Sequence, residues 1–517
     1  MLLAGPYMAF PNNSTANIQS ITNFAKDNEF DFLDYNAIEI VDKVYEEIKG
    51  KQSYIVDGIT IETGNKTASA KIANIIIALS TSTENTIVYC GQRAKTESYA
   101  KEIINNQTVA TRIQSLSKNA PPQVYNDFIQ HLERVFGKDW IVLRALKCGI
   151  GIHHGFIPKY IQKEIISLFN NGVLVALFST TTITEGVNTT AKNIVITSAK
   201  KGTKPLKQFD AKNIAGRAGR FHKHYVGRVL SIDKDFLAIV NGDENILGHK
   251  NYDQGSSKTD IDFQITNEKY LSRDDLQEKN RIDELVRASQ IPNEIFNAFR
   301  VVGPLDKLTL FERVMRLSQR EIRSVQVLTQ TLAINKGSRL DWDGFQLIMN
   351  TIFPIVGEKK LIGLIERQVP ANRPIGTTDY SLITILLSAY LEGGYMGMVK
   401  YNVETKKLSK DEAIRNASDN VYNVFKYHLV KYLGLFDIFY RYVIAARTER
   451  HIDDVPGVGI LLQKLEYNAL TKTARRLSDF GVPFRLVSYY DQEDKQSPKA
   501  FDAYEQYIDG KIQSLLD

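Results

Sequence analysis

Ile157-Pro-Lys-Tyr-Ile-Gln-Lys-Glu-Ile-Ile-Ser-Leu-Phe-Asn-Asn-Gly-Val-Leu-Val-Ala-Leu-Phe178 contains the change of period that decides the fold. Ile161, Ile165, Leu168 and Phe169 recur at helical spacing, which predicts a helix over 157–170 with Pro158 in its first turn. Gly172 suits the C-terminal cap of that helix, and the apolar run 173–178 then reads as a buried strand. Downstream, Asn193-Ile-Val-Ile-Thr197 is a second such strand. Upstream, Thr86-Ile-Val-Tyr-Cys90 is a third, and Gly91-Gln92-Arg93 opens a helix running to Ile103. Strands alternating with helices predict an α/β fold built on a parallel sheet, with ligands bound at the carboxyl ends of the strands. Polar residues cluster at those ends: Gln92 and Arg93 after one strand, Ser179 to Thr182 and then Glu185 to Asn188 after another.

Asn213-Ile-Ala-Gly-Arg-Ala-Gly-Arg220 follows these elements. As a helix it would put Arg217 and Arg220 on one face, where two guanidinium forks can reach one anion. Gly216 and Gly219 leave room beside them for a phosphate or a neighbouring backbone. Such a pair suits an arginine finger, which neutralises charge developing on a transferred γ-phosphate. The plainer alternative is a basic surface turn. Net charge is only +6, from 65 Lys and Arg against 59 Asp and Glu, but it is unevenly spread. Lys200, Lys201, Lys204, Lys207, Lys212, Arg217, Arg220, Lys223 and Arg228 face only Asp210 in their stretch. A basic run is most often a solvated face; beside phosphate-binding motifs it reads as a strip that tracks a nucleic-acid backbone.

At this point the chain resembles the superfamily 2 helicases. The segments 86–93, Gly149-Ile-Gly-Ile-His-His-Gly155, 180–188 and 213–220 are similar, in order and spacing, to motifs IV, IVa, V and VI. The segments 157–165 and 200–209 are similar to the Ski/Mtr-like branch and its bacterial relatives, some of which belong to anti-phage defence systems such as Hachiman. The resemblance covers about 86–231. It implies a RecA-like lobe over 86–245, the helicase C-terminal lobe, with mainly helical accessory domains after it. It further implies that Arg217 and Arg220 are catalytic, contacting the phosphates of ATP. Gly186, Asn188, Asn213, Gly216 and Gly219 would line the nucleotide. Gln92, Arg93, His153, Thr180, Thr182, Lys200, Lys201 and Lys204 would contact DNA or RNA. Asn213 stands where many relatives carry Gln, which shortens the reach of its amide.

The same resemblance sets an expectation about what precedes the motifs. ATP hydrolysis in this family needs a Gly-x-x-x-x-Gly-Lys-Thr loop and an Asp-Glu pair holding Mg2+, both on a first lobe. The nearest match, 58–67, has one residue too many between Gly58 and Gly64 and another between Gly64 and Lys66, so it reads as a turn. Asp243-Glu244 falls after motif VI, on the wrong side. Met1-Leu-Leu-Ala-Gly-Pro-Tyr7 looks like the strand bearing motif III. The expected organisation is therefore a first-lobe remnant at 1–20, an inter-lobe connection at 21–85, the second lobe at 86–245, a linker at 246–265 and an accessory region at 266–517, read by analogy as a winged helix plus a helical bundle. A chain so arranged is a fragment, a truncated product or one half of a split motor, inactive without its first lobe. Expected partners are nucleic acid, that lobe in cis or in trans, and a defence-system effector protein. The rival reading is a non-catalytic nucleic-acid-binding or regulatory subunit.

His153-His154 invites a metal reading with Cys148, His222 and His224, but the spacing fits no zinc pattern and a structural pair is preferred. Two cysteines in 517 residues predict a reducing, cytoplasmic setting without a disulfide framework. The longest apolar stretch, from Leu382, is interrupted by Glu392-Gly-Gly and is too short to span a bilayer, so no membrane partner is expected. Helical spacing marks 275–288, 308–332, 343–355, 380–390, 410–447 and 459–477. The many aromatics of this half, such as Tyr422, Phe425, Tyr427, Tyr432, Phe436, Phe439 and Tyr440, read as core. Phe484–Tyr490 reads as a strand.

Overall fold

A computed structural model describes residues 42–48, 51–64, 66–118, 120–183, 189, 191–219, 226–242, 259–369, 379–492 and 501–516. The chain divides into two compact units. The first is built from β1 (Asp42–Glu47), β2 (Ser53–Val56), β3 (Ile59–Glu62), α1 (Ala68–Leu79), β4 (Thr86–Tyr89), α2 (Arg93–Asn105), α3 (Gln107–Gln114), α4 (Gln123–Phe136), α5 (Ile141–Lys147), β5 (Ile150–His153), α6 (Lys159–Asn170), β6 (Ala176–Ser179), β7 (Asn193–Ile196), β8 (Lys200–Lys201), β9 (Lys204–Pro205), α7 (Gln208–Ala215), β10 (Val226–Ser231) and α8 (Phe236–Asn241).

Six strands form one sheet in the order β1-β10-β7-β4-β6-β5, every neighbouring pair parallel. β4, β5, β6 and β7 are buried along their whole length, as apolar strands covered on both faces must be. This is the α/β parallel sheet that the alternation of periods predicts and the RecA-like lobe that the resemblance implies.

Three local readings shift. β6 begins at Ala176 rather than 173, because the backbone N–H groups of Val173 and Leu174 close the end of α6 on the Leu168 carbonyl, at 3.0 and 3.3 Å. Gly172 sets that reversal: its φ is +71°, and a Cβ there would sit 1.9 Å from the Ser82 carbonyl oxygen. The sheet also reaches back to β1, inside the segment expected to be an inter-lobe connection. Its sequence, Asp-Lys-Val-Tyr-Glu-Glu, has no apolar run because it is an edge strand with Val44 and Tyr45 partly exposed. The third shift concerns 58–67, expected to be a turn, which is one only in part. Asp57 and Gly58 (φ 51° and 75°) turn the β2–β3 hairpin, 59–62 is strand, and Thr67 caps α1 by accepting the Ala70 N–H.

The second unit contains the described residues from 259 onward and also takes in Gln130–Trp140 and Phe156–Ile161, so α4 beyond Ile129 and α6 before Gln162 belong to it rather than to the first. It is mainly helical, with one short antiparallel pair, Gln368–Val369 with Tyr380–Ser381. The expected 308–332 helix is two, Pro304–Met315 and Gln319–Ile334, divided where Ser318 and Glu321 form a capping box. The 410–447 stretch is continuous but has a π-helical centre, Asn420–Leu429. Phe425, Tyr432, Phe436, Phe439 and Tyr440 are buried, as a core reading requires, whereas Tyr427 is 70% exposed. Phe484–Tyr490 is a helix, not a strand. Pro483 stands at its N-cap, and Leu486, Val487 and Tyr490 pack one face into a cluster with Ala469, Ala474 and Ile512. Among the described residues Leu382–Glu404 is long and apolar enough to cross a membrane, and its apolar stretch is mostly buried within this unit. The Glu392-Gly-Gly interruption is a kink at Gly394 (φ 59°), not an end.

Candidate functional site

α7 stops at Ala215, so Arg217 lies beyond the helix rather than on its face as expected. The chain leaves α7 through a tight turn in which Arg217 N–H donates to the Ile214 carbonyl (3.0 Å) and Ala218 N–H to that of Ala215 (3.0 Å). Gly219 then adopts φ +70° and donates its N–H to the Ala191 carbonyl at 2.8 Å. A side chain is strained at that φ, so a glycine here serves the turn itself. The turn lies against Gly227, where an added Cβ would come within 2.3 Å of the Ala218 carbonyl oxygen. Asn213 and Gly216 are exposed and Arg217 is half-buried. Arg220, Gly186 and Asn188 lie outside the described residues, as do His222 and His224.

Ala191 leads into β7 and Gly227 lies near the start of β10, so this turn stands at the amino-terminal edge of the sheet. The polar residues expected at the carboxyl ends of the strands form a separate group, and they do gather there. Gln92 and Arg93 follow β4 and are exposed. The β8–β9 hairpin hangs on the same strand exit: the Tyr89 hydroxyl donates to the Lys200 carbonyl (2.9 Å), Gly202 N–H to that of Gly91 (2.7 Å), and the Gln92 amide to that of Gly202 (3.3 Å). Lys200, Lys201, Lys204 and Lys207 are all exposed. One backbone register thus ties Gln92 to the basic hairpin, an arrangement that spacing alone does not reveal.

The basic strip is shorter than its sequence. Arg228 is 3% exposed and turned inward, with Nη2 2.6 Å from Asp57 Oδ2 and Nη1 3.1 Å from Glu84 Oε2. It holds the β2–β3 hairpin to the sheet and is not part of the exposed basic strip.

His153 is also corrected as a surface contact. It is 3% exposed, with Nδ1 3.1 Å from the Thr182 hydroxyl and 3.4 Å from that of Ser179. Thr180 and Thr182 hydroxyls lie 3.3 Å apart. His153 therefore positions the threonine loop after β6 from below. His154 meets a different partner, Glu97, at 3.2 Å, so the two rings do not converge on one ion. Burial, reinforced by His154, lowers the His153 pKa to about 4. Its neutral form is the folded form, so its stabilisation is complete above the unfolded value near 6.5 and is lost as pH falls from there toward 4. Acidification from pH 7 to 4.5 is expected to cost the loop roughly 2–3 kcal/mol. Thermal melts of wild type and His153→Gln across that range test this; parallel pH dependences would remove His153 as the cause.

Among the described residues one group has metal-ligand geometry: His131, Asp502 and Glu505, in the second unit. Its carboxylates are already engaged. His131 Nδ1 is 2.8 Å from Asp502, Arg134 bridges Asp502 (2.5 Å) and Glu505 (3.1 Å), and Arg485 reaches Glu505 at 2.8 Å. Burial opposes ionisation of Asp502, but the His131 hydrogen bond and its companions prevail and set its pKa at about 2. Two guanidinium groups leave a cation no charge to balance, so this is an ionic clasp rather than a place for the Mg2+ of a nucleotide.

A family model described as helicase conserved C-terminal domain matches residues 123–222, from α4 through the arginine turn. The chain carries a superfamily 2 helicase C-terminal lobe. Relatives agree across kingdoms. Anti-bacteriophage protein B of Escherichia coli K12 is 26% identical over 429 residues, 79% of this chain and 52% of that protein. The ATP-dependent DNA helicase Hel308 of Caldivirga maquilingensis is 26% identical over 254 residues, 47% of this chain and 31% of its own length. The human exosome RNA helicase MTR4 is 32% identical over 118 residues, 21% of this chain and 11% of its own. The chain thus spans about half or less of these relatives. One of them is named for DNA and another for RNA, and a Ski/Mtr-like placement of the lobe is compatible with all three.

Proposed function

We propose that the chain supplies the second half of an ATP-dependent nucleic-acid motor acting in cytoplasmic anti-phage defence. The observation that supports this reading is the division of the motifs between opposite edges of one sheet. Arg217, on the turn pinned between Ala191 and Gly227, and Asn213, in the last turn of α7, stand at the amino-terminal edge, with Arg220 next in sequence after the described turn. Gln92, Arg93, Thr182 and the Lys200–Lys201 and Lys204 hairpin stand at the carboxyl edge. β7 runs from one group to the other, so a rigid strand links a phosphate-sensing turn to a backbone-binding surface. Asn213, Gly216 and Gly219, with Gly186 and Asn188, form the nucleotide side; when bound, ATP with Mg2+ supplies the phosphate charge that Arg217 and Arg220 neutralise. The defence role rests on the printed name of the E. coli relative.

Phosphate contacts carry no base information, so binding to single strands is expected to be weak and nearly indifferent to sequence. Reversing Lys200, Lys201 and Lys204 to Glu is expected to weaken binding on all sequences alike and to flatten its salt dependence. Fluorescence anisotropy titrations at several salt concentrations measure both. A strong sequence preference, or an unchanged salt slope in the triple variant, counts against the reading.

A further inference from the structure

Of the large hydrophobic side chains exposed on the described part of the helicase lobe, Val44, Tyr45, Ile55 and Phe209, the last is the most open, at 74%. Phe209 alone among them lies in the basic segment. It is the second residue of α7, two positions after Lys207 and four after the end of β9. The backbone there is held on both sides. Leu206 N–H closes the foot of the hairpin on the Ala199 carbonyl (2.9 Å), and the adjacent Gln208 amide donates to the Val240 carbonyl (3.3 Å) and to that of Gly242. The first turn of α7 is thus fixed while the ring stands in solvent.

A single exposed apolar side chain is common on a protein surface; what distinguishes this ring is that its backbone is held at the end of a row of lysines. Four exposed lysines, Lys200, Lys201, Lys204 and Lys207, precede it, and the first acid is Asp210. That field selects a polyanion with a flat apolar face, which describes a single-stranded nucleic acid with unstacked bases. Resting on the reading of the basic strip given above, we propose that Phe209 is a nucleobase-stacking residue. The lysines hold the phosphates and the ring receives one base of the strand they track. Stacking is tolerant of sequence because every base has a π face, so the ring adds affinity without base preference.

The two contributions separate experimentally. The 517-residue chain is titrated with an oligothymidylate of about fifteen nucleotides and with a strand of the same length whose sites are abasic, for wild type, Phe209→Ala, Phe209→Tyr and the Lys200, Lys201, Lys204→Glu triple variant. Phe209→Ala is expected to lose roughly tenfold to a hundredfold on the normal strand and almost nothing on the abasic one, with an unchanged salt slope, while Phe209→Tyr stays near wild type. Normal binding by Phe209→Ala beside failure of the triple variant overturns stacking and leaves the basic strip standing. Equal losses on both strands also overturn it, making Phe209 a structural residue. If the triple variant binds as wild type does, the strip itself is wrong and stacking falls with it.

Discussion

Arg220→Ala, in an assembly that also contains a phosphate loop and magnesium carboxylates, is expected to lower ATP turnover by roughly three orders of magnitude or more, the range seen when an arginine finger is lost. Arg217→Ala is expected to fall in the same range. The expectation rests on charge. As the γ-phosphoryl group separates, negative charge spreads over its oxygens, and a guanidinium already fixed in place stabilises that charge without reorganising. The structure shows what fixes Arg217. Its turn is held by the Gly219 N–H on the Ala191 carbonyl, and Ala218 is seated against Gly227, so backbone contacts hold the turn. Melting temperatures of both variants should therefore stay near wild type while phosphate release collapses. Unaltered turnover in either variant would remove that arginine from the catalytic role; a collapsed melting temperature would make it structural instead.

The lobe was legible because its central strands are unusually plain. β4, β6 and β7 are buried on both faces and read as apolar runs, and Gly172 marks the end of α6 in the sequence and in the backbone. Elements that depend on partners were not legible. β1 is charged along much of its length and becomes a strand through pairing with β10. α4 carries its signal in Phe128, Leu132 and Phe136, which recur at four-residue spacing and are all fully buried. Residue types identified candidate site groups better than their geometry. Arg228 and His153 carry the right chemistry for phosphate, yet burial assigns them to Asp57 and Glu84 and to Thr182. Composition cannot distinguish a lysine on a hairpin from an arginine folded under it. Nor can it show that the turn at Arg217 and the basic hairpin, close in sequence, stand at opposite ends of β7. In the accessory half, aromatic and β-branched residues at Phe484–Tyr490 mimic a strand because local propensity is overridden by packing against Ala474 and Ile512.

The purified 517-residue chain is expected to bind ATP feebly and to hydrolyse none above background, with or without nucleic acid. The reason lies in the division of labour. Arginine forks act on a phosphate that something else has already seated, and seating it takes a loop of backbone N–H groups, a lysine and a metal held by carboxylates. No Gly-x-x-x-x-Gly-Lys-Thr occurs in the sequence. Its nearest approach is divided among the Asp57-Gly58 hairpin turn, β3 and the Thr67 cap of α1, so Gly58 and Gly64 do not share one loop. The cluster with metal geometry is neutralised by Arg134 and Arg485. Supplying a first lobe, in trans or fused ahead of Met1, should therefore convert background into turnover that nucleic acid stimulates, and that gain should vanish with Arg220→Ala. Radiolabelled phosphate release measures each step. Turnover by the chain alone that Lys66→Ala abolishes would mean that the segment around Gly58 and Lys66 rearranges into a working loop, and that both halves of the motor are present. Turnover that stays at background after a first lobe is added, with nucleic-acid binding intact, would instead favour a binding or regulatory subunit that keeps the lobe without the motor.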